Sequence, residues 1–207
     1  MKAFAYLLSV FFHPMLLPSY ALLLIALVYP HFLSNLTREE VVRLLATITT
    51  NTLIFPILVI FLMKKLNFIN SYEMSDRKER IIPFIAISIF YFWTFMVVKS
   101  LGIGGFINDI MLGASLSVFA AFFFNLFIKI SVHTLAFGNF ITLLVALTFM
   151  SSYNLEWPLA LVVVVAGMVG TARLVLKAHN NAEVFMGYAI GFACQFIAFN
   201  IDLNFLN

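Results

Sequence analysis

The chain has 207 residues, 63% of them hydrophobic and 10% charged, with a mean hydropathy of +1.06. Soluble domains are nearer half apolar and a quarter charged, and disordered chains are more polar still, so this composition excludes both. Net charge is +3 and the pI is near 9.1. The basic residues fall in short connections between apolar runs, which is the patterning of a membrane protein and not of a nucleic-acid binder.

At roughly 20 apolar residues per bilayer crossing, the sequence predicts an all-α, polytopic transmembrane helical bundle. Its six or seven spans form a single integral membrane domain over 1–207. Apolar runs lie at about 5–30, 41–63, 82–98, 106–128, 135–153, 158–176 and 184–203. They are continuously apolar and lack the alternation of a barrel strand. Met1 and Lys2 precede the first run without a small-residue cleavage site after it, so that run is read as a retained span. Pro14 and Pro18 interrupt it, which predicts an interfacial piece followed by a span. Tyr72, Tyr91, Trp93, Tyr153 and Trp157 are expected at the membrane interfaces. Asn125 and Gln195 are expected to hydrogen-bond between helices, and Gly187 and Gly191 to mark close helix packing. Cys194, the single cysteine, lies within an apolar run and forms no internal disulfide. His13 and His31 stand without acidic company and receive no role.

Three polar knots interrupt the hydrophobic pattern. The first ends Ser75-Asp76-Arg77-Lys78-Glu79-Arg80, the second is Lys129 to Thr134, and the third runs from Arg173 to Glu183. Two apolar runs separate each knot from the next, so all three belong on one side of the membrane. Together they supply cations at Arg77, Lys78, Arg80 and Arg173, with Lys129 and Lys177 read chiefly as snorkelling residues at helix ends. They also supply His133 and His179, Ser131 and Glu183. Arg forks and Lys point charges at a bilayer surface suit a phosphate headgroup. Two histidines titrating near neutrality suit a nucleophile and a proton donor, and Glu183 lies four residues beyond His179, in reach to orient its ring.

These residues resemble the motifs of the type 2 phosphatidic acid phosphatase superfamily, over roughly residues 76–191. Arg173, five residues, His179, three residues and Glu183 follow the spacing of its third motif, with Glu in place of the usual Asp and Ala172 in place of Ser. Ser131 and His133 match the second motif, where Ile130 and Val132 replace Pro and Gly. The first motif matches least. Arg80 has Glu73 and not Lys seven residues before it, and the proline is Pro83. The resemblance implies a metal-independent lipid phosphate or diphosphate phosphatase with no cofactor. His179 would form a phosphohistidine supported by Glu183, and His133 would protonate the leaving group. Arg173, Ser131 and the basic residues Arg80, Arg77 and Lys78 would hold the phosphate. Implied substrates are phosphatidic acid, phosphatidylglycerophosphate or a polyprenyl diphosphate, in a bacterial inner (cell) membrane. The alternative is a catalytically inactive lipid-binding or transport protein on the same scaffold. An intramembrane prenyltransferase would need paired Asp-rich motifs, and Asp76 stands alone. No nucleic-acid partner is expected. The face is open, because the basic residues that would set orientation are largely those wanted for the site.

Overall fold

A computed structural model describes residues 1–74, 76–103, 105–150 and 156–201. It is an all-helical bundle, with no strand among the described residues. Helices α1 (Lys2–Phe11), α2 (Leu17–Val28), α3 (Arg38–Thr49) and α4 (Phe55–Lys65) form the first two crossings in halves. Then follow α5 (Ile81–Ser100), α6 (Gly105–Asn125), α7 (Val132–Met150), α8 (Glu156–Val175) and α9 (Asn181–Asn200). Seven helical segments are long and apolar enough to cross a membrane, the α1–α2 and α3–α4 pairs each counting as one. Their outward faces carry large exposed apolar side chains such as Phe4, Ile89, Phe149 and Phe185, as hydrocarbon contact requires.

The first two crossings break for local reasons. His13 and Pro14 end α1, and a 3₁₀ turn over Pro14–Leu16 re-aims the chain into α2. Met15 N–H donates to His13 Nδ1 (3.3 Å), which caps the turn. In the second crossing Pro56 has no N–H to give. The preceding turn, Thr50–Ile54, widens to a π-helix, and Phe55 N–H bonds Thr50 O. The two breaks meet inside the bundle, where Thr52 Oγ1 donates to Met15 O (3.2 Å) and Ser19 and Thr49 share a hydroxyl hydrogen bond (2.9 Å). The expected interruption of the first run is present. Lys2–Val28 nevertheless counts as one crossing and not as an interfacial piece followed by a span, because α2 alone is too short to cross. Helix α1 leans on α8 and α2 on α3.

The most extensive helix pair is α7 with α9, and α9 also packs against α6. Small residues allow this. A methyl group on Gly191 would lie 1.9 Å from Leu135 O, and one on Gly187 2.1 Å from Thr134 Oγ1. Polar side chains add interhelical hydrogen bonds: Gln195 Nε2 to Asp109 O (3.1 Å), and Asn139 Nδ2 to Ser117 Oγ (2.9 Å). Asn125 Nδ2 ties the end of α6 to Arg77 O (2.7 Å), just ahead of α5.

One expectation needs correction. Tyr91 lies midway along α5 and is 4% exposed, so it is a core residue and not an interfacial anchor. Trp93, two residues on, faces outward from the same helix. Their run begins at Ile81 and ends at Ser100, which places both well inside the crossing. Tyr153 lies outside the described residues.

The α7–α9 contact yields a prediction. Gly191→Ala should lower stability in detergent by about 1–3 kcal/mol, the usual range for over-packing a filled contact. Thermal unfolding checks it, and an unchanged midpoint would mean that the backbones are not in contact.

Candidate active site

Helix α8 ends at Val175 and the chain reverses over five residues into α9. Lys177 takes a left-handed conformation (φ 53) in that reversal. Asn180 then caps α9, its Oδ1 accepting from Glu183 N–H (2.9 Å). This turn, and not a continuous helix, brings His179 Nδ1 to 2.7 Å from Glu183 Oε2. Asn180 Nδ2 donates to the other carboxylate oxygen at 3.1 Å. Glu183 is thus held at both oxygens, and the neutral His179 ring carries its proton on Nδ1, leaving the Nε2 lone pair for chemistry.

The side chain of His179 is 1% exposed. Burial, followed by the charges of Arg80, Lys129 and Arg173, holds its pKa down to about 3. The Glu183 carboxylate pulls the other way, and burial with three cations prevails. Lys129 is itself pushed down, first by burial and then by Arg80 and Arg173, with Glu183 opposing. The three cations therefore lie within electrostatic range of His179 and of one another.

Each cation comes from a different element. Arg80 closes the 3₁₀ turn Lys78–Arg80 at the head of α5, is 9% exposed, and donates from Nε to Met74 O (2.8 Å). Arg173 lies in the last turn of α8, and its Nε is buried with no hydrogen-bond partner among the described residues. Lys129 lies in the connection from α6 to α7. Glu73 lies within electrostatic range of Arg173.

The second knot closes the site from α7. Ser131 N–H donates to Glu183 O (3.3 Å), which joins the second knot directly to the third. Ser131 Oγ accepts from Thr134 N–H (3.5 Å), so this residue caps α7 and is fully buried. His133, in the first turn, donates from Nε2 to Ser9 O of α1 (3.0 Å). Its Nδ1 is buried without a partner among the described residues. The rings of His133 and His13 meet edge to face, with centroids 5.4 Å apart. Arg173 lies within electrostatic range of both, and His179 within range of His133.

Of the residues singled out in the sequence, His179, His133, Glu183, Arg173, Ser131 and Arg80 converge, and Lys129 joins them. Arg77 does not. Its guanidinium donates to the carbonyls of Leu126 and Phe127 and so fastens the first knot to the end of α6. Lys78 is exposed, with its backbone N–H held by Asp76 Oδ1 (3.0 Å). Sequence reasoning missed three contributors. Asn180 had a signal, an N-cap residue three positions before an acid. His13 had only Pro14 beside it, and Ser9 contributes a carbonyl that no side-chain pattern could reveal. No group of three or more His, Cys, Asp or Glu side chains placed to hold a metal occurs among the described residues.

No family model, curated protein or solved structure matches the chain.

The state of His179 is directly measurable. Histidine ¹⁵N NMR of the protein in detergent should show His179 neutral at pH 5, protonated at Nδ1, and titrating only near pH 3. Lys129→Ala should raise that midpoint. A wild-type midpoint near 6.5 would mean that the ring is neither buried nor near the cations.

Proposed function

We propose that the protein is a metal-independent lipid phosphatase that works at one membrane interface through a phosphohistidine. The single observation carrying this reading is a buried neutral histidine, backed by a carboxylate at 2.7 Å, in the field of three cations. A lone cationic patch would suit any acidic headgroup. A neutral imidazole with its Nδ1–H engaged is an activated nucleophile as well.

In the first step His179 Nε2 attacks phosphorus, forming the N–P bond as the bond to the leaving oxygen breaks. Glu183 accepts the Nδ1 hydrogen bond throughout and stabilises the charge that develops on the ring. Arg173, Arg80 and Lys129 hold the equatorial oxygens, with the Nε of Arg173 as one donor in need of an acceptor. The leaving alcohol or phosphate takes a proton from His133. Its Nε2–H is committed to Ser9 O, so the unpartnered Nδ1 is the working nitrogen, relaying to the leaving oxygen the acidic proton that a singly protonated headgroup brings in. In the second step a water attacks the phosphohistidine and gives its proton back to Nδ1 of His133. Inorganic phosphate takes that proton from Nδ1 as it leaves, and both histidines return to their starting states. The motif spacing shared with type 2 phosphatidic acid phosphatases supports the same assignment. The membrane setting supports a lipid substrate, since the tail remains in hydrocarbon while the headgroup reaches the knots.

Phosphate release in detergent, with EDTA present, from a panel of lipid monophosphates and diphosphates tests the proposal. His179→Ala should lower kcat by on the order of a thousandfold or more. His133→Ala should cost on the order of a hundredfold or more. No release from any lipid by folded wild-type protein would leave a headgroup-binding protein in place of an enzyme.

A further inference from the structure

Beside the cationic cluster lies a half-open cavity of about 120 Å³, lined almost entirely by apolar side chains. It follows α6 from Ala121 to Ile110 and α7 from Val132 to Leu143. At 1.5 Å per residue that is a slot about 16 Å long, running from the knot end toward the middle of the bundle. Helix α2 and the 3₁₀ turn before it close one side, through Met15, Leu17 and Ala21. Phe84 and Tyr91 of α5 close another. Its volume is on the order of the ~150 Å³ apolar cavity that takes a benzene ring, so it holds one short hydrocarbon segment.

His13 belongs to both environments. It lines the mouth of the cavity, and it also touches His133 and lies within electrostatic range of Arg173. Because its Nδ1 accepts from Met15 N–H, the neutral ring carries its proton on Nε2. The mouth of an apolar slot thus holds a neutral donor, next to a cluster suited to a phosphoryl group. A headgroup with a hydrocarbon chain is the one ligand that satisfies both ends.

Building on the phosphatase reading, we infer that this cavity receives the headgroup-proximal segment of a single hydrocarbon chain, and that His13 donates to a phosphoryl oxygen on the chain side. The substrate class is then a lipid whose chain begins directly at the phosphate or diphosphate, such as a long-chain alkyl or prenyl phosphate. A glycerol unit, with its two branching esters, is bulkier and more polar than the slot. A chain already in lipid gains no hydrophobic free energy by entering the slot, so packing against its walls and the headgroup contacts at its mouth hold it there.

A photoactivatable long-chain alkyl phosphonate, with a diazirine in its first few carbons, tests this without being hydrolysed. Irradiation with wild-type protein in detergent should label Met15, Ala114, Val118 or Ala136, and inorganic phosphate should compete. Labels confined to outward residues such as Ile89 and Phe185 would overturn the inference. His13→Asn separates two roles, because Asn retains an acceptor for Met15 N–H and lacks the reach of Nε2–H. It should reduce cavity labelling by about tenfold at subsaturating probe with thermal stability unchanged. Undiminished labelling would make His13 a helix cap only and overturn its part. Cavity labelling without phosphate release from any lipid would sink the phosphatase reading and leave the chain site standing. Release with only outward labels would do the reverse.

Discussion

The backbone contact between α7 and α9 is the constraint on which the polar end of the molecule depends. A methyl group on Gly187 would lie 2.7 Å from Ser131 O, and one on Gly191 1.9 Å from Leu135 O. Helices carrying larger side chains there would be held apart by several ångströms. Ser131 N–H would then lose Glu183 O, and with it the link between the α6–α7 connection and the α8–α9 turn. Hydrocarbon supplies no hydrophobic drive for helices to associate, so small-residue contacts and interhelical hydrogen bonds must hold the bundle. Here the contact that holds it also sets the distance between the two histidine-bearing segments.

Electrostatics at that end are lopsided by design of the sequence. Arg80, Lys129 and Arg173 face a space where Glu183 and Glu73 are the acidic groups within range. Glu183 is already committed to His179 and Asn180. Gathering three cations in partly buried positions is costly unless an anion compensates. An excess of positive charge near a buried histidine also keeps that histidine neutral. One arrangement therefore favours an anion and keeps the lone pair of the ring free. Glu73 moderates the field around Arg173, and Lys129 supplies a third cation from another connection.

Much of this was legible in the residues. Seven apolar runs, separated by connections whose order alternates sides, put three knots on one face, and the spacing of His179 and Glu183 placed the carboxylate within reach of the ring. Charge alone was less informative about individual cations. Arg77 and Arg80 are three positions apart in one basic stretch, yet Arg77 turns to the carbonyls ending α6 and Arg80 turns inward. A helix-end lysine such as Lys129 reads as a snorkelling residue until the neighbouring connection folds against it. Tyr91 misled for the same reason that amphipathic rings usually succeed. Its ring is placed by packing within the bundle, and composition near it does not reveal depth.

The broken first crossing shows what sequence patterns hide most completely. Pro14 announces the interruption, but nothing in the composition of the first run says where the freed backbone goes. A continuous helix would bond the Ser9 carbonyl to His13 N–H. Ending α1 at Phe11 spares the Ser9 carbonyl, which then engages His133 Nε2 and fixes the tautomer of that ring. The same break swings His13 toward His133 and opens the space between α2, α6 and α7 that becomes the cavity. Strain at a helix break is tolerated in a membrane only where the freed polar groups find partners inside the protein. Here those partners are His133, His13 and Thr52, so satisfying the backbone and building the site are one structural event.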